Sequence, residues 1–132
     1  MRDRVRTLTL FALAMALAGC GRPGQRLLHA RIEQAGKPVL ESRFGVSDRW
    51  SGKDAWRELD GVSFTIVPGA ALPAASGNSI TLKGTSRVAL DHVKTPFAAA
   101  DVDDLVLESD PAKPGEWKIP KSEVERSLKA VK

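Results

Sequence analysis

The chain of 132 residues holds one cysteine, two histidines and no tyrosine, with three tryptophans and four phenylalanines as its whole aromatic content. One cysteine excludes a disulfide within the chain, so the fold must stand on an apolar core. Only His29 and His92 can supply imidazole, and Cys20 is the only thiol. No Gly-x-Ser-x-Gly, His-Glu-x-x-His or Gly-x-x-x-x-Gly-Lys pattern occurs, so no familiar hydrolase, metalloprotease or phosphate-loop motif is present. Long hydrophobic runs are missing as well, since the stretch from Leu8 to Ala18 is too short to cross a bilayer. Charge of one sign is not concentrated either. The formal charge of +4 is spread, with Lys and Arg alternating with Asp and Glu, which argues against a nucleic-acid partner.

What is present begins at the N-terminus. Arg2, Arg4 and Arg6 precede the apolar run, and small residues lead to Leu17-Ala18-Gly19-Cys20. This order of basic, apolar and small residues is that of an export signal. The segment resembles a bacterial lipoprotein signal with its lipobox, a resemblance that covers about the first twenty residues. It implies that residues 1–19 are removed as signal peptide and that Cys20 becomes the first residue, bearing diacylglyceryl and an acyl chain such as palmitate. Each buried methylene contributes about 0.8 kcal/mol, and one chain binds only marginally, so several chains give a durable membrane anchor. Gly21 stands where an aspartate would imply inner-membrane retention, so the resemblance favours the periplasmic face of an outer membrane in a cell with two membranes.

Removing nineteen of the 132 residues leaves 113 and lowers the net charge to about +2, because Arg2, Asp3, Arg4 and Arg6 depart. That length suits one domain. Residues 20–26 read as a lipidated cysteine and short tether with nothing apolar to bury, and 27–132 as a single β-rich domain. Arg22 and Arg26 in this tether face either anionic lipid or plain solvent.

Period-two alternation dominates the domain. Leu28, Ala30 and Ile32 alternate with His29, Arg31 and Glu33, and a turn at Gln34-Ala35-Gly36-Lys37 leads to Leu40, Phe44 and Val46. Four more runs, around Val62–Ile66, Ile80–Leu82, Val88–Leu90 and Val102–Leu107, bring the expected count to six strands. Gly84-Thr85-Ser86 predicts a turn that makes 79–93 a second hairpin, and residues 68–78 read as a connector. Such strands imply a mainly β fold, a small antiparallel β-sandwich or barrel-like domain. Ser122 and Glu125 match a capping box, and Val124, Leu128 and Val131 follow at helical spacing, which predicts a short C-terminal α-helix with a Glu125–Lys129 pair.

The candidate site residues are few. Arg49, Trp50, Trp56 and Arg57 cluster in a loop-like segment. Flat rings beside guanidinium groups suit stacking on a sugar, an anionic polymer or a partner surface, and the same tryptophans suit core anchoring. Trp117 is expected to pin the entry to the final helix. His29 and His92 read as a surface and a sheet histidine. Asp101, Asp103 and Asp104 fail as a calcium loop, because Leu105 and Val106 fall where an oxygen ligand and glycine belong, so they read as solvated acids guarding an edge strand. No metal, cofactor or catalytic residue is implied. The expected function is a non-enzymatic, membrane-anchored envelope lipoprotein that binds a protein partner or envelope polymer. The alternatives are a glycan or small-ligand module built on the Trp50/Trp56 segment and, more weakly, a carboxylate-dependent envelope hydrolase.

Overall fold

A computed structural model describes residues 24–132. The expected signal peptide, Cys20 and Gly21–Pro23 of the expected tether lie outside the described residues. The described residues form a closed antiparallel barrel with strand order β1-β2-β3-β6-β5-β4. Its strands are β1 (Gln25–Gln34), β2 (Lys37–Ser47), β3 (Ser63–Ile66), β4 (Ser79–His92), β5 (Thr95–Ser109) and β6 (Trp117–Lys118). Two helices accompany them, α1 (Gly52–Trp56) and α2 (Lys121–Leu128), with a 3-10 turn over Leu59–Gly61. The mainly β, antiparallel fold with a short C-terminal helix is therefore the one expected, in its barrel form.

The first hairpin follows from its sequence. Leu28, Ala30 and Ile32 are fully buried, and Leu40 faces Ile32 across the ladder. Ala35 and Gly36 both take positive φ, the geometry that matches a two-residue hairpin turn to strand twist. The strand begins at Gln25, however, so Gln25 and Arg26 belong to the domain and not to a tether. Their membership comes from cross-strand partners, Ser47 and Val46, which a search for apolar residues does not reveal.

The expected second hairpin is a correction. Gly84 is not a turn: β4 runs unbroken from Ser79 to His92, and its hairpin partner is β5, reached through Val93 and Lys94. Gly84 (φ 78°) and Asp104 (φ 48°) instead form an irregularity at which Lys83 and Gly84 oppose a single residue, and the Gly84 N–H donates to Asp104 Oδ1 at 2.9 Å. Buried positions on β5 consequently shift from Ala98, Ala100 and Val102 to Leu105 and Leu107. Bulges bend long strands, and bending closes a small barrel. Six strands are present as expected, yet two expected strands fuse into β4 and the two-residue β6 supplies the sixth.

Side chains fill the interior. Leu28, Ile32, Leu40, Phe64, Leu82, Leu90 and Leu107 are all fully buried in one cluster. The α2 helix forms where expected, but its N-cap is Pro120, whose carbonyl accepts the N–H groups of Glu123 and Val124, and no side chain caps it. Ser122 lies inside the first turn, and the ion pair that forms is Glu123–Arg126. Glu123 also accepts the Val106 N–H at 3.0 Å, which fixes α2 to β5.

Candidate functional site

The segment Arg49–Arg57 is no loop. Ser51 caps α1 by accepting the Asp54 N–H, and Asp54 accepts the Ser51 N–H in return, a reciprocal capping box. These bonds from the Ser51 N–H and hydroxyl, with Arg57 beside them, hold the Asp54 carboxyl below the usual carboxylate range. The spacing Ser51-x-x-Asp54 carried this signal in the sequence. Gly52 lets the helix approach β5 closely, because a Cβ there would stand 3.0 Å from the Ala98 Cβ.

The helix separates the four residues expected to bind a ligand together. Trp56 is 0% exposed, and its indole Nε1–H donates to Ser127 Oγ at 2.8 Å. The Ser127 hydroxyl donates onward to the Val124 carbonyl at 3.0 Å. Trp56 is thus a core anchor that ties α1 to α2, and as a stacking platform it is corrected: no face of its ring is open. Trp50 is half-buried against the same core. Arg49 is exposed, and Arg57 pairs with Asp54 at 3.2 Å. A buried indole N–H needs a partner, and here the partner lies 71 residues away. Trp117 is also half-buried, in β6 opposite Phe64.

The acids are individually engaged. Asp101 pairs with Arg87, Asp103 accepts the Thr85 hydroxyl, and Asp104 holds the bulge. Asp110 is buried and accepts from the Ser63 hydroxyl and the Ala112 N–H, which keep its carboxyl low and fix the loop leading to β6. No group of three or more His, Cys, Asp or Glu residues able to hold a metal occurs among the described residues. Glu58, Asp60 and Glu125 line one open groove beside α2, accompanied by Arg57 and Lys121.

A different place gathers polar and apolar groups. At the barrel end where the chain enters, a groove of about 380 Å³ is lined by Arg26, Leu27, His29, Arg43, His92 and Val93, among others. Of the three large hydrophobics exposed among the described residues, Leu27 and Val93 both lie here. Arg26 is braced across the mouth, its Nη2 donating to the Asp48 carbonyl at 3.0 Å with the guanidinium carbon 5.1 Å from the Phe97 ring centre. His29 bonds Glu41 at 3.1 Å, and Arg43 has no ion pair among the described residues. The two histidines therefore share a groove that their positions 63 residues apart did not suggest. No carboxylate lines it.

Among the described residues no helix is long and apolar enough to cross a membrane. Comparison with protein-family models, with curated proteins and with solved structures finds no match for this chain.

Proposed function

We propose that this chain is a non-enzymatic envelope lipoprotein, anchored through lipid on Cys20, whose barrel is a rigid platform that binds a protein partner or envelope polymer on its outer surface. The observation that carries the binding half of the reading is the filled interior: the barrel axis is occupied by fully buried leucines, Ile32 and Phe64, which leaves no lumen for a small ligand. Recognition then belongs to the exterior of the barrel, on surfaces left free of the bilayer. The lipobox at residues 17–20 supports the anchor, and the few residues between Cys20 and β1 keep the barrel close to the lipid. At no more than roughly 3.6 Å per residue, that connection reaches about 18 Å.

The glycan reading loses its main support with the burial of Trp56. A hydrolase would need carboxylates held in a site that excludes water, and Glu58, Asp60 and Glu125 sit instead in an open groove among cations.

Metabolic labelling with an alkyne palmitate in a Gram-negative host tests the anchor. Wild-type chain is expected to carry label and fractionate with membranes, and Cys20→Ser is expected to lose both. Equal labelling of the two chains would overturn the assignment.

A further inference from the structure

The hairpin at the groove end places a residue poorly suited to its turn at a position that requires positive φ. Val93 is the first of the two residues linking β4 to β5, and it adopts φ 59° while 78% exposed. A β-branched residue is a poor occupant of the left-handed region, and hairpins place glycine, asparagine or aspartate there. A strained, exposed valine at a hairpin tip contributes nothing to the core. Strain of this kind collects where a side chain is presented to something else.

Its surroundings specify the chemistry. The Val93–Lys94 tip follows His92, which is paired with Leu28 of β1, so it projects beside Leu27 and the point where the chain leaves the barrel at Gly24. Arg26, Arg43, Arg49 and Lys94 gather at this end. Asp48, whose N–H bonds the Gly24 carbonyl, is the acid closest to that exit, while Glu41 and Asp91 further along are engaged by His29 and Arg31. Two apolar side chains ringed by basic ones suit the boundary between lipid headgroups and acyl chains.

We propose that this barrel end docks on an anionic lipid surface, with Val93 and Leu27 at headgroup level and Arg43 and Lys94 on lipid phosphates. The inference rests on lipidation at Cys20, because the short connection to Gln25 places this end, and not the β1–β2 turn, against the bilayer.

Acylated Cys20 has no reactive thiol, so a cysteine introduced elsewhere takes a single environment-sensitive fluorophore. The full chain is processed in cells, its acylation checked by mass spectrometry, and reconstituted into phosphatidylcholine vesicles with or without about one-third phosphatidylglycerol; no membrane binding without this anchor is assumed. A probe at Thr95→Cys is expected to be quenched by headgroup-labelled lipid in the anionic vesicles, and one at Lys37→Cys, at the start of β2 beside the far end of β1, is not. Adding Arg43→Gln and Lys94→Gln should lower the docked-to-undocked ratio about 30-fold, the effect of removing two surface-proximal cations. Val93→Gly should weaken docking while raising Tm by roughly 4 °C, since glycine relieves the left-handed strain. Equal, weak quenching at both positions on an acylated chain overturns the docking alone, as does quenching that ignores phosphatidylglycerol. A mature chain without acyl groups overturns the anchor and the docking with it.

Discussion

Replacing Ser127 by alanine isolates the link that holds the helices together. The substitution removes the acceptor of the Trp56 indole N–H, which is 0% exposed and has no route to water. Ser127 is itself buried, so the N–H is left facing the alanine methyl group across the small space the oxygen filled, with no acceptor in reach. An unpaired buried donor costs about 1–3 kcal/mol, beyond any change in packing. For a domain near 100 residues this lowers Tm by roughly 5–20 °C. Trp56→Phe removes the donor instead and is costly for lost ring area, but in the Ser127→Ala background it no longer breaks a hydrogen bond. A double-mutant cycle by urea denaturation should therefore show a coupling of about 1 kcal/mol between the two positions. Iodide should leave one of the three tryptophans unquenched in the folded wild type. A Ser127→Ala chain within about 0.5 kcal/mol of wild type, the range of an ordinary surface change, would refute the reasoning.

Ser86 is fully buried in the barrel wall and its hydroxyl has no hydrogen-bond partner among the described residues. Ser86→Ala should raise stability by about 1 kcal/mol in urea titration, because an unsatisfied hydroxyl is removed and little volume is lost. Glu123, bonded by Arg126 and by the Val106 N–H, has its carboxyl held below the usual range, as do Asp110 and Asp54. A depressed folded-state pKa stabilises the fold fully above the unfolded carboxylate value near pH 4, and that stability is lost as pH falls through the folded values. Glu123→Gln should thus lower the urea midpoint at pH 7, and the gap to wild type should close as the pH falls through the depressed folded-state value. The glutamine amide oxygen can still accept from Val106, so a gap that persists at low pH would assign the effect to packing.

Much of the barrel can be read without coordinates, wherever the deciding interactions are close in sequence. Alternation from Leu28 to Val46 and the Ala35-Gly36 turn specify the first hairpin, because side-chain period and turn geometry act over a few residues. The C-terminal helix likewise follows from the spacing of Val124 and Leu128. Its cap does not, since Pro120 arrives from β6 with its backbone already set and leaves Ser122 inside the helix. The Ser51–Asp54 box was present in the letters and was obscured by the aromatic and basic residues around it.

Other features were settled at long range. Gly84 has the sequence of a turn and the role of a bulge, because what decides between them is the register of β5, which slips by one residue opposite it. Trp56 could serve a ligand or the core until Ser127 was brought beside its N–H. Trp117 and Lys118 are a strand only because Phe64, Ser63 and the end of β5 flank them. The groove of Arg26, Arg43, His29, His92 and Val93 exists because closing the barrel pairs β1 with β4. Neighbouring residues set the local periods and the first turn, so both are legible in the chain before it folds. Tertiary structure alone decided which tryptophan is buried, which glycine bends a strand and which charges share a surface, because those depend on residues that only barrel closure brings together.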